Sequence, residues 1–343
     1  MAPKVRSVPA LMDVARRAGV GAATVSRVIN GGQNVSSKTM AAVQKAIEEL
    51  GYHPNQAARS LKGARTKTIG LIVPSVADHF FSTAAAAIQE VARVHGSLVL
   101  LAASDNLPSR EREQVLTLIQ RRIDGLILAP SDGADMGMFK HAGFPVVCFD
   151  RPFPHHSMPT ALGDNYGGAK TATEHLIRNG CRRILCMGGD SKLFTSQARV
   201  RGHHDTVQAV GLPILAELHV QDYASAEAAL RPFLHGKNRI DAIFSIKNAI
   251  TVNVYKILRQ SNISIPQSIA LVGYDDFELA DALEPPICVI RQPVAEIATR
   301  AAEMLFQALE TGKVKNRTVT LDVELVHRGS CGEGIESRKA RSR

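Results

Sequence analysis

The residues between 22 and 39 combine side chains that can read and hold a nucleic acid. Arg27 carries a guanidinium that can bridge a guanine through O6 and N7 in the major groove. Short hydroxyl and amide side chains around it are suited to phosphate oxygens. They are Thr24, Ser26, Asn30, Ser36 and Thr39. The methyl groups of Ala22 and Ala23 can contact a thymine methyl, or these two residues serve only as helix-formers.

Sequence motifs of common enzymes are missing. There is no GxSxG elbow, no GxxxxGK(S/T) phosphate loop, and no GxGxxG at a junction between a strand and a helix. The histidine pairs His155-His156 and His203-His204 lack a spaced carboxylate or cysteine partner, which argues against metal chemistry. We therefore expect a protein that is not an enzyme and has no cofactor and no metal.

The cysteines give no disulfide or metal pattern. Their number is odd, and they are scattered without CxxC spacing. They stand at Cys148, Cys181, Cys186, Cys288 and Cys331. They are expected to be buried or incidental thiols in a reducing compartment.

Positive charge is concentrated at one end of the chain. Residues 1–67 contain 11 Lys/Arg and 3 Asp/Glu, a net of +8. The remainder has 41 − 11 = 30 basic and 32 − 3 = 29 acidic residues, a net of +1. This distribution indicates a small polyanion-binding module on a nearly neutral body, although a solvated basic face without a partner would have the same charge.

Length and composition are typical of a globular chain with more than one core. The chain has 343 residues, 45% of them hydrophobic and 21% charged. No apolar run approaches the roughly 20 residues that span a membrane. The first 17 residues lack the apolar core of a signal peptide, so we expect a cytoplasmic protein.

Short helices are expected to position the residues that could contact DNA. A first helix with Val14 and Ala15 on its inner face should stop at Gly19, and a second should run from Ala22 to Ile29. A third should start near Ser36, a plausible N-cap, and end at Gly51. Helix, tight turn and helix is the arrangement that places a second helix in the major groove.

From Thr68 onward, short apolar runs alternate with helical stretches. Strands are predicted near 69–73, 98–102, 126–128, 146–149, 184–187, 242–245 and 269–272, with helices between them. Such repeats predict doubly wound parallel sheets covered by helices, which bind ligands at the carboxyl ends of their strands. About 260 residues suffice for two α/β subdomains facing across a cleft.

Three motifs follow one another along the chain: MDVARRAGVGAATVSRVING, then VSSKTMAAVQKAIEELGYHPNQAARSLK, then TIGLIVP. Through these motifs the chain resembles the lactose/galactose repressor (LacI/GalR) family over essentially residues 10–330. The resemblance implies a sequence-specific transcriptional repressor with an all-α headpiece and a body similar to periplasmic sugar-binding proteins. It also implies a homodimer that binds pseudo-palindromic operator DNA and a small effector such as a sugar. In the family, the positions of Ala22 and Ala23 select the operator, and the resemblance assigns Tyr52 as a further DNA contact.

Residues 54–62 match the family's hinge helix, which forms only when two subunits pair over the minor groove. The resemblance places Asn55 and Ala58 at this interface with DNA, and Leu61 as an apolar wedge that unstacks a base step. The alternative for Leu61 is packing onto the body.

The resemblance also implies an effector pocket. It assigns the pocket arginine to Arg199, the carboxylate to Asp275, the aromatic to Tyr223 and the asparagine to Asn248. Phe80 and Asp150 follow strands at the rim of the same cleft, as do Asp78 and His79. Carboxylate, amide and guanidinium groups beside an aromatic wall suit sugars and nucleobases. Asp275 and Asn248 have a second interpretation as helix caps.

Some residues depart from the family pattern. Ala10 replaces a Thr cap, Gly21 replaces Ser, and Met12 and Met40 stand where polar residues are common. Ala249 replaces the usual Asp, and the chain has no Trp. These departures leave the DNA contacts and the identity of the sugar open.

The resulting domain prediction has four parts. They are a headpiece at 1–53, a hinge at 54–67, a core at 68–331 and a basic disordered tail at 332–343. Within the core, an N-subdomain of about 68–163 and 292–320 faces a C-subdomain of about 164–291 and 321–331. No leucine heptad ends the chain, so a dimer is favoured over a tetramer.

Two other classes of protein remain as alternatives. A solute receptor would explain the body but not the basic headpiece or the missing signal peptide. An α/β enzyme with an accessory DNA-binding module would need a catalytic motif, and none is found.

Overall fold

The structure is a computed structural model that describes residues 9–29, 31, 35–52, 65–139, 142–189 and 192–332. Its chain divides into two compact units, Met1–Thr66 and Lys67–Arg343. The positions predicted at Asn30, Asn55, Ala58 and Leu61 lie outside the described residues, as do most of the hinge and nearly all of the tail. Within the described ranges, no helix is both long and apolar enough to cross a membrane.

The first unit is a cluster of short helices, α1 (Leu11–Ala18), α2 (Ala22–Ile29) and α3 (Ser37–Leu50). Their apolar faces meet in a core formed by Val14, Ala15, Val25, Val43, Ala46 and Tyr52. Gly19 and Gly51 end α1 and α3 in the left-handed conformation, with φ of 67° and 58°, where a glycine avoids the strain that a Cβ would cause. The predicted headpiece helices are therefore present.

The second unit contains two six-stranded sheets. The first has the order β11-β5-β4-β3-β1-β2, and all its strands are parallel. Its strands are β1 (Thr68–Val73), β2 (Leu98–Ala103), β3 (Gly125–Leu128), β4 (Val146–Phe149), β5 (Thr160–Gly163) and β11 (Thr318–Leu321).

The second sheet has the order β12-β10-β9-β8-β6-β7. Its strands are β6 (Ile184–Met187), β7 (Leu215–Glu217), β8 (Ala242–Ser245), β9 (Ala270–Tyr274), β10 (Cys288–Arg291) and β12 (Glu324–Val326). Only β12 runs antiparallel to its neighbour among these described strands.

Helices cover both faces of each sheet. They are α4 (His79–Val94), α5 (Pro108–Gln120), α6 (Asn165–Arg178), α7 (Phe194–Ala209), α8 (Tyr223–Leu230), α9 (Asn248–Gln260) and α10 (Val294–Thr311). Side chains alternate across a strand, so Leu71 faces the layer of α4 and α10 while Ile72 faces α5. In the second sheet Ile243 faces α8 and α9, and Phe244 faces α6. The predicted doubly wound fold class is confirmed.

The chain passes between the two sheets three times. It leaves the first sheet after β5, returns after β10 to form α10 and β11, and leaves again between Leu321 and Glu324. We call the first sheet with its helices the N-subdomain and the second the C-subdomain.

The expectation of unpaired thiols is wrong for one pair of cysteines. Cys288 on β10 and Cys331 near the end of the described chain are joined as a disulfide. The fold brings them together across 43 residues of sequence, a proximity that their spacing alone did not reveal. Cys148, Cys181 and Cys186 are free and buried, as predicted.

Candidate nucleic-acid interface and ligand cleft

Helix α2 carries five of the residues predicted to contact DNA. Val25 on its inner face is fully buried, whereas Ala23 and Arg27 are exposed on its outer face. Ala22, Thr24 and Ser26 are half-buried at the edges of this face. The helix thus has a short outer surface of small side chains with one guanidinium in its last turn.

The predicted hydroxyl pair lies at the start of α3. Ser36 caps this helix by accepting the Thr39 N–H at 3.2 Å, and the two hydroxyl oxygens are 2.9 Å apart. A helix N-terminus with nearby hydroxyls is a favourable place for a phosphate. Tyr52 differs from the other predicted contacts, because it is only 7% exposed and packs in the headpiece core.

Acidic groups in the headpiece lie on α1 and the end of α3. Asp13 pairs with Arg16 at 3.4 Å, and Glu49 pairs with Arg17 at 2.5 Å. Helix α2 and the first turn of α3 contain no acidic residue. The outer surface of α2 therefore keeps a positive potential, which favours a polyanion.

Helix α1 lacks the hydroxyl cap that its start would normally have. Asp13 accepts the Ala10 N–H at 2.9 Å, but Ala10 has no side-chain acceptor to bond an amide of the first turn in return. The predicted weak cap is present in the structure.

In the second unit, a cleft lies at the carboxyl ends of the strands of both subdomains. Its cavity of about 290 Å³ is near the lower limit for small-ligand sites. The N-subdomain contributes Pro74, Ser75, Asp78, Phe80, Phe81, Asp105, Asn106, Asp150 and Arg151. The C-subdomain and the segment between β10 and α10 contribute Leu193, Thr195, Ser196, Arg199, Ile246, Lys247, Asp275 and Gln292.

Arg199 is the central cation of the C-subdomain side. Its Nε donates to Asn165 Oδ1 at 2.8 Å, and its Nη1 donates to the Ile246 carbonyl at 2.6 Å and to Asp275 Oδ2 at 3.0 Å. The guanidinium also lies 3.7 Å from the centroid of the Tyr274 ring. These contacts fix its plane, so a ligand would meet an oriented donor.

Asp275 connects this arginine to Gln292, in the segment that follows β10 and crosses between the subdomains. Its Oδ1 accepts Gln292 Nε2 at 2.6 Å, and its φ of 70° turns the chain sharply after β9. Burial raises the pKa of Asp275 and outweighs the opposing effects of Arg199 and Gln292, while Asp150 and Asp78 raise it further. Burial lowers the pKa of Arg199, but Asp275, Tyr274 and Asp150 raise it by more, so this side chain stays charged.

Asp275 is therefore not a helix cap. Its carboxylate is held by two side chains, and β9 is followed by turns rather than by a helix.

A second set of polar groups lies on the N-subdomain side. Arg151 Nε donates to Asp150 Oδ2 at 2.8 Å, and its Nη1 donates to Asn106 Oδ1 at 3.2 Å. Asp150 and Arg151 are 6% and 5% exposed. Phe80 lies beside them as an apolar wall and is 7% exposed.

One ion pair joins the two subdomains across the cleft. Lys247 Nζ, which precedes α9, lies 3.5 Å from Oδ2 of Asp78, the N-cap of α4. The lysine side chain is 51% exposed and the aspartate side chain 15%. This pair closes one side of the cavity.

Two predicted effector contacts do not line the cavity. The Asn248 side chain accepts the Ala249 N–H at 2.6 Å within the first turn of α9, whose N-cap is Lys247 rather than Asn248. The Tyr223 hydroxyl bonds to Gln260 Oε1 and its ring packs against the core. Conversely, Arg151, Lys247 and Gln292 line the cavity without having been predicted as contacts. The available signal was their position within two residues of a strand end.

Two family models match the chain. Residues 10–55 match the bacterial regulatory proteins of the lacI family, and residues 66–328 match the periplasmic binding proteins and sugar binding domain of the LacI family. The ribose operon repressor of Escherichia coli strain K12 is 32% identical over 328 residues, covering 93% of this chain and 99% of the relative.

Solved structures resemble the whole chain. A complex of the transcriptional regulator CelR with cellobiose is 30% identical, with a TM-score of 0.70, and covers 94% of this chain and 99% of its own. A lac repressor dimer bound to operator and the anti-inducer ONPF is 25% identical, with a TM-score of 0.84 and the same coverage.

Proposed function

Because this chain belongs to the LacI family of bacterial regulatory proteins, we propose that it is a DNA-binding transcriptional repressor controlled by a small polar ligand. The observation that carries this function is the presence in one chain of an exposed basic helix and a cleft with an oriented Arg199–Asp275 pair. It is not an enzyme, because its relatives are repressors.

Operator recognition is proposed to centre on α2. Arg27 would bridge a guanine, and Ala22 and Ala23 would contact base edges. Phosphate contacts are proposed for Thr24, Ser26, Asn30, Ser36 and Thr39. Tyr52 would act through the headpiece core rather than by touching DNA, since it is buried.

The chain acts as a homodimer on double-stranded operator DNA, as the lac repressor dimer does. A two-fold dimer presents two recognition helices, which predicts a pseudo-palindromic site of roughly 14–20 base pairs. We propose that residues 54–67 form the hinge and that Leu61 inserts at a central pyrimidine–purine step, with Asn55 and Ala58 beside it. Headpiece, hinge, core and tail would keep the boundaries predicted above.

The effector is proposed to be a sugar or a related polar metabolite. Phe80 supplies an apolar wall, and Asp150, Arg199 and Asp275 supply fixed hydrogen-bonding groups for hydroxyls. Relatives named for ribose and cellobiose support this chemical class. Neither Tyr223 nor Asn248 lines this cavity. Their roles as effector contacts therefore stay predictions. The protein is proposed to work in the cytoplasm, where bacterial operator DNA is found.

The test begins with selection of binding sites from random duplexes by the full-length protein. The winning duplex is then titrated at one fixed salt concentration, with and without each member of a panel of pentoses, hexoses, disaccharides and nucleobases. The expected result is a pseudo-palindrome whose affinity changes with one member of the panel. An asymmetric consensus would contradict the dimer, and saturable sugar binding without any selected duplex would indicate a solute receptor.

A further inference from the structure

A cluster of nitrogen and sulfur ligands lies in the C-subdomain, apart from the cleft. The ligand atoms of His175, His327 and Cys331 are all within 4.8 Å of one another. His175 Nε2 is 3.0 Å from Cys331 Sγ, and the rings of His175 and His327 meet edge to face with centroids 5.1 Å apart. It is the one such group of metal-ligand side chains found in the described part of the chain.

Cys288 brings a fourth ligand atom to the same place. In the antiparallel pairing of β10 with β12, Val289 is opposite Val326, so Cys288 takes the position opposite His327, one residue beyond the end of β12. Its sulfur is joined to that of Cys331. The four side chains come from α6, β10, the residue after β12 and the turn Gly329–Cys331, so only the folded subdomain assembles them.

We propose that His175, His327, Cys288 and Cys331 bind one zinc ion when the cysteine pair is reduced. Two thiolates and two imidazoles are a common donor set for zinc in structural sites. Bond lengths of about 2.0–2.3 Å in a tetrahedron place ligand atoms roughly 3.3–3.8 Å apart. The ligand atoms of His175, His327 and Cys331 are already within about one ångström of that spacing. Cys288 Sγ is joined to Cys331 Sγ, and reduction of that bond frees it to take the fourth position.

Reduction and metal binding are two separate steps. A small dithiol or a phosphine supplies two electrons to the Cys288–Cys331 bond and is itself oxidised, and two protons complete the two thiols. Zinc then replaces the two thiol protons and takes a lone pair from each imidazole. The disulfide and the zinc site therefore exclude each other.

The surroundings of the cluster suit this role. The Arg328 N–H donates to Cys288 Sγ at 3.1 Å, a bond that stabilises a thiolate. The Asn179 amide donates to the carbonyls of Cys331 and Gly332 at 3.0 and 3.2 Å, which fixes the turn that holds Cys331. The Asn179 amide also forms a hydrogen bond with His175 Nε2, and this is the bond that a metal ion would replace. His327 is exposed and leaves a route for the ion from solvent.

The experiment uses full-length protein, reduced with a phosphine, desalted without oxygen and titrated with Co²⁺. The expected result is one Co²⁺ per chain, with a sulfur-to-cobalt charge-transfer band and the visible bands of tetrahedral cobalt, both bleached by one equivalent of Zn²⁺. Protein oxidised with a small disulfide should show neither band. The Cys288→Ala/Cys331→Ala variant should lose the charge-transfer band.

His327→Gln keeps an exposed polar residue, so it tests the site even if the double cysteine variant fails to fold. Loss of this ligand should weaken Co²⁺ binding about tenfold or more. Cys186→Ala, which removes a buried thiol outside the cluster, is the matched control and should bind normally. Absence of the charge-transfer band in the reduced protein, or its persistence in the double cysteine variant, would overturn the proposal. Unchanged affinity in His327→Gln would do the same.

Discussion

At the scale of single residues, Arg27 is the side chain on which base selection should depend. It is exposed in the last turn of α2, whereas most of its neighbours on that face are too small to reach a base edge with a hydrogen bond. Arg27→Ala should cost about 1–3 kcal/mol on the selected operator and relax preference at one base per half-site. Titration against operators with single base substitutions measures both effects.

Lys38→Ala is the matched control for Arg27→Ala, because Lys38 is an exposed cation at the start of α3. It should weaken binding to every sequence alike, as loss of a phosphate contact does. If Arg27→Ala gave that same uniform loss, Arg27 would be a phosphate contact rather than a reader of bases.

Asp275 should be needed for the effector response and not for DNA binding. Asp275→Asn keeps the shape of the side chain but removes the charge that faces Arg199 at 3.0 Å. An effector typically changes operator affinity by about 1–3 kcal/mol through its different affinity for two conformations. The variant should lose that change and keep its affinity for operator without effector, since the headpiece is untouched.

Calorimetry with the effector and titration with operator check this pair of outcomes. Asp105→Asn is the control, since Asp105 borders the same cavity but is exposed and paired with Arg110. Unchanged effector affinity in Asp275→Asn would show that Asp275 does not contact the effector.

At the scale of elements, the packing of α6 against α7 contains a histidine that must stay neutral. His203 on α7 is fully buried, and its Nδ1 contacts the Thr173 hydroxyl on α6 at 3.1 Å. Its Nε2 has no hydrogen-bond partner among the described residues. Burial, with a contribution from His204, lowers the pKa of His203 to about 3.

The free energy of unfolding should therefore fall as the pH is lowered from about 6.5 toward 3. In this range the unfolded chain binds a proton at His203 and the folded chain does not, which costs up to about 1.4 kcal/mol per pH unit. Above pH 6.5 both states are neutral and the effect is absent. Urea unfolding at pH 7, 6 and 5 should show a smaller pH dependence in His203→Gln than in the parent chain. Parallel pH profiles would contradict a buried neutral imidazole.

Most inner strands and the edge strand β2 are predicted from the sequence, whereas the inner strands β5 and β10 and the edge strands β7, β11 and β12 are not. Strands such as β3 and β8 are short apolar runs buried on both faces, which is a strong local signal. The outer strand β11 alternates exposed and half-buried residues, and β7 has only three residues. Their existence depends on a neighbouring strand that supplies hydrogen bonds, and no local pattern reports that neighbour.

Only part of the candidate site could be predicted, because the fold decides which residues near a strand end enter the cleft. Arg199 and Asp275 line the cavity as expected, whereas Asn248 points elsewhere and the adjacent Lys247 lines it. Successive residues at a strand end face different directions, and the local turn decides which one enters the cleft. The Cys288–Cys331 pairing is likewise a product of the fold, because it joins distant parts of the chain.

At the scale of the whole molecule, the Lys247–Asp78 pair should favour closure of the cleft. It joins the two subdomains at 3.5 Å and exists only when their edges approach each other. A partly exposed pair contributes at most about 1 kcal/mol, so Lys247→Met should weaken effector binding by up to about fivefold. Because salt screens exposed charges, the difference should shrink at high ionic strength.

Lys170→Met is the control for this measurement, since Lys170 pairs with Glu174 within α6 at 3.9 Å. Effector titrations at low and high salt should separate the two variants only at low salt. A loss of affinity in Lys247→Met that is equal at both salt concentrations would mean that the lysine contacts the effector itself.

The last crossing between the sheets also bears on how the protein is made. Strand β11 pairs at the edge of the first sheet and β12 at the edge of the second, with only residues 322 and 323 between them. Because β11 and β12 are synthesised one directly after the other, the two sheets acquire these edge strands at the same stage of translation. A premature stop at codon 318 would expose unpaired strand edges on both sheets, and the product should aggregate rather than accumulate as one folded half. A soluble, monomeric chain ending at residue 317, detected by gel filtration, would show that the inner strands suffice.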